Sequence, residues 1–483
     1  MTNKTGEQRS ARRGVRTHGV RPNILYIMSD DHASMAMSCY GSYRNQTPNI
    51  DRIASEGIRL DNCFCTNSIC TPSRASILTG QYPHMNGAIT FNAPNPTSYT
   101  FPQMLRNGGY FTAMIGKWHL SCEPTGFDSW NVLPGQGLYH DPEFIDNGVS
   151  KILPGYVTDI ITDLTLDVLE NRPRDKPFCI LSHHKAPHDM WESDDEHAAL
   201  FADTQIQEPA NLFDTYKDRA SAIRQSTQTI GSPRPGHTVF ADETGHISDP
   251  VQRKKAQYQE YMKRYLRCVA SIDDNVGRLL DYLDAHDLSQ NTIVIYTSDQ
   301  GFFLGEHGWY DKRFMYEESL RMPFVMRYPE AISPGVTDDH IILNTDFAAT
   351  FLDFAGLEKH PSMQSESFKP ILEGLQPADW RESMYYRYYR SHFNTPSHWG
   401  VRTKRFKLIY YNLSGEYELF DLENDPAEMK SVYDDTEYSG TVEYLKDELK
   451  RLKNELCDAE DGFEGEVRAR ELLRQKPHPL FRL

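Results

Sequence analysis

The stretch Thr292-Ile293-Val294-Ile295-Tyr296-Thr297-Ser298-Asp299-Gln300-Gly301 joins an unbroken β-rich run to an abrupt polar end. A strand that does not alternate apolar with polar residues is covered on both faces, as in a parallel sheet lying between layers of helices. In open sheets of that kind, ligands bind outside the carboxyl ends of the strands. Asp299 and Gln300 stand at such an end.

Three other runs repeat the pattern. Residues 23–28 lead into Ser29-Asp30-Asp31-His32, and residues 110–115 into Gly116-Lys117-Trp118-His119. Residues 178–181 lead into Ser182-His183-His184-Lys185-Ala186-Pro187-His188. Four strands thus deliver carboxylates, lysine and histidines to one sheet edge, which surface solvation does not explain. Residues 323–327 read as a further strand. Tyr258, Tyr261, Tyr265, Val269, Ile272, Val276, Leu279 and Leu283 mark the buried stripe of a helix over 257–283. The expected fold class is α/β, with a large, mainly parallel sheet flanked by helices.

From about Gly374 the runs 383–389, 399–403, 406–411 and 416–421 follow one another without helices, and a charged helix is expected over 441–457. This reads as a smaller C-terminal antiparallel sheet with a helix. The expected organisation is a disordered basic arm over 1–21, a catalytic α/β domain over 22–373 and an α+β subdomain over 374–483. The polar 189–253 insertion, centred on Gly231-Ser232-Pro233-Arg234-Pro235-Gly236, has the length of a lid or binding loop.

The chain has 51 Lys+Arg against 68 Asp+Glu, a net charge of −17, so no nucleic-acid partner is expected. No apolar run has the length of a membrane span, and no membrane partner is expected. No apolar h-region follows Arg12-Arg13, which points to a cytoplasmic protein, or to a periplasmic or secreted one if a leader has been removed. The eight cysteines lack paired zinc spacing, and most read as reduced, buried small hydrophobes.

Asp30-Asp31 and Asp299-Gln300 form an all-oxygen ligand set, suited to a hard cation such as Ca²⁺ or Mg²⁺ rather than zinc. Without a cation, adjacent aspartates leaving a buried strand repel each other. Asn67-Ser68-Ile69-Cys70-Thr71-Pro72-Ser73-Arg74-Ala75-Ser76-Ile77-Leu78-Thr79-Gly80 reads as a loop entering a helix. Thr71 is the expected N-cap, Pro72 the first helical residue and Gly80 the stop. Cys70 then sits at a helix N-terminus, where free amides and the dipole favour an anion, so an unusually acidic thiol is expected.

Cys70-Thr71-Pro72-Ser73-Arg74, with Leu78-Thr79-Gly80, resembles the C/S-x-P-x-R signature of type I, formylglycine-dependent sulfatases of the alkaline-phosphatase superfamily. Asp30-Asp31, Gly116-Lys117-Trp118-His119, the block ending in His188, Ser298-Asp299-Gln300-Gly301 and Lys312 follow in the family's order. The resemblance covers roughly residues 22–329, and Gly400-Val401-Arg402-Thr403 and Glu418-Leu419-Phe420-Asp421-Leu422 are similar to the family's C-terminal subdomain.

The resemblance implies an alkaline-phosphatase-like fold and hydrolysis of a sulfate ester to an alcohol and inorganic sulfate. It implies that a formylglycine-generating enzyme oxidises Cys70 to Cα-formylglycine. One hydroxyl of the hydrated aldehyde then attacks sulfur, and deprotonation of the other expels sulfate. The implied ligands of Ca²⁺, preferred over Mg²⁺, are Asp30, Asp31, Asp299, Gln300 and the modified Cys70; Gln300 stands where the family commonly has Asn or His. Arg74 would hold the deprotonated diol, and Lys117, Lys312 and His188 would neutralise sulfate oxygens. His119 is the implied base, and His188 or Lys312 the group that protonates the leaving oxygen.

Gly305-Glu306-His307-Gly308-Trp309-Tyr310-Asp311-Lys312-Arg313 is similar to sulfatases acting on sulfated sugars, including the iduronate-sulfatase and N-acetylglucosamine-sulfatase-like groups. A small sulfated saccharide is the implied substrate. His184 and Arg313 are candidate binding residues, and His84, Asn92, Trp191, His392 and His398 are candidate pocket walls. Two alternatives remain. One is a phosphate or phosphonate ester hydrolase of the same superfamily, which would favour a second metal set that the sequence does not display. The other is a non-catalytic metal- or sugar-binding relative, which would not need Arg74, Lys117, His119 and Lys312.

Overall fold

The computed structural model describes residues 21–95, 97–231, 241–389, 393–459 and 463–474. The basic arm before residue 21, the Ser232 to Gly236 centre of the insertion and His392 lie outside the described residues.

Ten strands of the described residues form one sheet. Their order across it is Val336–Asp338, Ile58–Leu60, Phe324–Arg327, Thr292–Ser298, Asn23–Ser29, Phe178–His183, Phe111–Lys117, Ser129–Leu133, Glu143–Asp146 and Val149–Ile152. The central strands Thr292–Ser298, Asn23–Ser29, Phe178–His183 and Phe111–Lys117 run parallel and are buried almost throughout. Phe324–Arg327 runs antiparallel to Thr292–Ser298. The unbroken apolar runs follow from two-sided burial. Ile24, Tyr26 and Met28 enter one apolar core, and Leu25 and Ile27 enter the core on the other face.

The helix Pro250–Ala285 covers the second face with its Tyr258, Tyr261, Tyr265 and Val269 stripe. It begins earlier than its apolar periodicity indicates, because Asp249 caps it, accepting from Val251 and Gln252 N–H, and Pro250 occupies the first turn. On the first face lie Cys70–Thr79, Phe101–Asn107 and Asp346–Phe354. Among the described residues no helix is long and apolar enough to cross a membrane.

Four antiparallel strands, Ser383–Tyr388, His398–Thr403, Phe406–Tyr411 and Glu416–Asp421, form the second sheet, followed by the helix Ser439–Glu455. Tyr385, Val401, Leu408 and Leu419 share one apolar cluster with Phe324 and Phe347 beneath the large sheet. Arg402 and Lys407 reach Glu317 at 3.0 and 2.9 Å. Part of the insertion is tied to this small sheet: Ala220 N–H donates to Glu418 at 2.9 Å and Ser221 N–H to Glu416 at 2.8 Å.

The register levels the strand ends that matter. Met28 stands beside His183, Ser29 beside Ser298, and Gly116 beside His183. What each strand carries past its last residue therefore meets the others at one edge.

Candidate active site

Cys70 opens the helix Cys70–Thr79, every residue of which is buried. The helix starts before the expected Thr71 cap. Ile69 takes the cap position with extended backbone, and the Thr71 hydroxyl donates to the His119 carbonyl at 2.7 Å. Gly80 ends the helix in the left-handed region at φ 63°. The acidic thiol expected at this N-terminus is also corrected: burial first, and then Asp30, push the Cys70 thiol well above its usual range. Full desolvation of a thiolate outweighs a helix dipole.

Asp30, Asp31 and Asp299 each bring a carboxylate oxygen within 4.8 Å of the others. All three are buried. Burial works to raise Asp30, but Lys117 and Arg74 outweigh it and hold that carboxyl well below the usual range. Burial and neighbouring carboxylates push Asp31 and Asp299 up, against Lys312 and Arg74. Gln300 donates to Asp31 Oδ1 at 2.5 Å, while its buried Oε1 has no hydrogen-bond partner among the described residues. Three crowded carboxylates and an orphaned amide oxygen are the donor set of a hard-cation site, so the residues fit a divalent metal.

Arg74 spends its guanidinium on this cluster. Its Nε donates to Asp299 at 3.0 Å, one terminal nitrogen to Asp30 at 3.0 Å, and the other to the Lys117 carbonyl at 2.6 Å. That clamps two carboxylates, and Cys70 is also among the groups whose charge the guanidinium feels. Lys117 belongs to its strand, not to the turn after it; its Nζ pairs with Asp30 and donates to Gln136 at 2.5 Å. Lys312 pairs with Asp31, and burial opposes but does not prevent a pKa well above the usual lysine range. The His119 ring is buried; burial and the Lys117 charge hold it neutral. His188 places Nε2 3.7 Å from Asp31 Oδ2.

A cavity of about 280 Å³ opens onto this cluster. Cys70, Asp31, His188, Lys312 and Arg313 line it, with Phe91, Trp191, Phe302, Tyr310 and Phe393 as aromatic walls. Arg313 pairs with Asp311 at 2.5 Å and lies 4.0 Å from the Phe393 ring centroid.

Several expected contributors lie elsewhere. His184 does not line this cavity; burial lowers its pKa to about 4, and His183, one residue earlier, feels the charges of Arg74 and Asp30. The strand ends at His183, and His184 lies in the loop that follows. His84 contacts the Leu456 carbonyl at 2.8 Å, and Asn92 donates to the Gly87 and Ala93 carbonyls. His398 is buried under Phe314 and Tyr386. Of the proposed sugar-pocket residues, Trp191 and Arg313 reach the cavity.

Sequence reasoning missed Gln136, Asp189 and Asp311, all at the cavity. Gln136 follows the strand Ser129–Leu133, so the strand-end rule contained the signal. Asp311 lies inside the quoted 305–313 stretch, and Asp189 directly follows His188.

The sulfatase family profile matches residues 22–357, and a profile for the C-terminal part of N-sulphoglucosamine sulphohydrolase matches residues 305–455. This chain belongs to the sulfatase family, and it is an enzyme of the sulfuric ester hydrolase class. It is 44% identical to an N-acetylglucosamine-6-O-sulfatase of Bacteroides thetaiotaomicron, over 91% of this chain and 87% of that protein. A solved structure of a protein in complex with its substrate D-glucosamine-2-N,6-O-disulfate superposes with a TM-score of 0.88. That pair is 43% identical and covers 92% of this chain and 99% of the other. The phosphonate monoester hydrolase of Agrobacterium radiobacter shares the fold, with a TM-score of 0.73 at 18% identity over 90% of this chain and 96% of the other.

Proposed function

We propose that this enzyme removes the 6-O-sulfate of a glucosamine-type sugar, one residue at a time, with Ca²⁺ and a formylglycine made from Cys70. The observation that carries this reading is the cavity itself: about 280 Å³, with Cys70, Lys312 and Arg313 among its lining residues and five aromatic rings for walls. That volume suits one sulfated sugar, and aromatic faces beside a cation suit a polar ring bearing an anion. Its relatives' named activity and substrate point the same way.

Asp30, Asp31, Asp299 and the Gln300 Oε1 would hold the cation, with position 70 beside it. When present, the cation and the hydrated aldehyde supply an acidified hydroxyl nucleophile and polarise the sulfate. The chain's own residues do the rest. Arg74 fixes the carboxylates of Asp30 and Asp299 in place. Lys117 and Lys312 bring positive charge to where the sulfate oxygens gain negative charge. His188 gives a proton to the departing sugar oxygen. His119, kept neutral by burial and Lys117, takes a proton at its ring nitrogen when sulfate is expelled. Arg313, backed by Asp311 and Phe393, binds the sugar hydroxyls. A formylglycine-generating enzyme is the maturation partner.

The test is a panel of glucosamines sulfated singly at O3, O6 or N, with an aryl sulfate and a phosphonate monoester beside them. Inorganic sulfate is expected from the 6-O ester. Preferred turnover of the phosphonate, or of the N-sulfate, overturns the assignment.

A further inference from the structure

The histidine that faces the cavity is held by its own neighbour. His188 Nδ1 lies 2.6 Å from Oδ1 of Asp189 and 2.9 Å from the Asp189 carbonyl oxygen. A ring nitrogen set against two acceptors must carry hydrogen, which leaves Nε2 as the nitrogen that exchanges a proton. That nitrogen is the one near Asp31, and a ring nitrogen of His188 lies within 4.8 Å of ligand atoms of both Asp30 and Cys70. The backbone behind the pair is pinned too. Lys185 Nζ donates to the Asp189 carbonyl at 3.0 Å, and the Tyr139 hydroxyl donates to the His188 carbonyl. Lys185 itself is buried, 4.6 Å above the Tyr139 ring.

The geometry points to Asp189 as the positioning residue for His188, fixing the ring so that Nε2–H faces the leaving oxygen of the sulfate ester. This rests on the sulfate-ester reading above. As a new S–O bond forms on the attacking side, the bond from sulfur to the sugar oxygen breaks. Its electron pair stays on the sugar oxygen, which takes the proton from Nε2 of the imidazolium, and the ring is left neutral with Nδ1–H still on Asp189. His188 acts as the acid in this reading, and Asp189 decides which way it points. The arrangement follows the general logic in which a base or acid is oriented by a third group.

Two readouts on the full-length enzyme test this: steady-state kinetics on glucosamine 6-sulfate, and long-range ¹H–¹⁵N NMR of histidine-labelled protein. The His188 ring signals are assigned with His188→Gln. Asp189→Ala is expected to lower kcat about tenfold or more with KM within about threefold, the scale of one general-acid contribution partly lost. Asp189→Asn recovers part of that loss, because its amide oxygen accepts the same hydrogen. In the NMR experiment, at a pH where the ring is neutral, Asp189→Ala removes the carboxylate partner and leaves the backbone carbonyl, so the His188 Nδ1 signal moves from its wild-type position. A kcat within about threefold of wild type, a raised KM at constant kcat, or an unmoved Nδ1 signal in Asp189→Ala overturns the proposal. A wild type that releases no sulfate from any sulfated glucosamine defeats the substrate reading alone. The ring signals then decide the placement: an Nδ1 signal displaced in Asp189→Ala supports it, and one unmoved overturns it.

Discussion

The backbone N–H of Asp31 donates to Oδ1 of Asp299 at 3.2 Å, across 268 positions of sequence. The same carboxylate accepts from Arg74 and offers an oxygen to the cation cluster. Asp299→Asn is therefore expected to lower the bound divalent metal, measured by atomic absorption, and kcat/KM together. The loss in kcat/KM should be about 10²-fold or more, the scale of several kcal/mol of charge stabilisation. Full metal content beside lost activity would remove Asp299 from the ligand set.

Lys117 is buried between Asp30 and Gln136. Lys117→Ala should cut kcat/KM by about 10²-fold, as loss of one preorganised cation at developing charge does. Lys117→Arg is expected to recover little, because the larger fork does not fit between those partners. A twofold effect in the alanine variant would make Lys117 a structural residue.

Arg313 presents its guanidinium to the cavity while bound to Asp311 and stacked on Phe393. Arg313→Ala should raise KM for the sulfated sugar about tenfold or more, the worth of a charge-assisted hydrogen bond, with a smaller change in kcat. Isothermal titration of the sugar product checks this without turnover. Unaltered product affinity would contradict a binding role.

Glu418 is fully buried among Tyr316, Tyr411 and Ala220 N–H, and burial raises its carboxyl to about 7. A raised folded-state pKa in an acid means that the folded chain keeps a proton the unfolded chain has released. Stability then falls as pH rises from about 4.5 to about 7 and levels off above that. Glu418→Gln removes this penalty. Its melting temperature should match wild type near pH 4 and exceed it at pH 8, a gain of about 1–3 kcal/mol at most. A constant difference across that range would show that Glu418 does not titrate in it.

The α/β class was legible because two-sided burial forces unbroken apolar runs, and polar residues at the ends of Asn23–Ser29 and Thr292–Ser298 announce the edge where chemistry collects. Pairings across the fold were not. His84 looks like a pocket histidine in sequence, yet it is spent on the Leu456 carbonyl 372 residues away. His183 and His184 are equivalent in composition, yet His183 ends its strand and His184 already lies in the loop after it, a boundary the sequence does not mark. The acidity expected of Cys70 failed because a helix end is visible in sequence, whereas complete burial is not.

Position 70 carries the account's central claim, that a cysteine buried beside three carboxylates is made into an aldehyde and that sulfate-ester hydrolysis depends on it. Mass spectrometry of the proteolytic peptide containing Cys70, taken from fully active enzyme and treated with an aminooxy probe, tests this most directly. The account predicts a peptide lighter than the thiol form that is captured by the probe. A fully active preparation in which Cys70 is entirely thiol contradicts it.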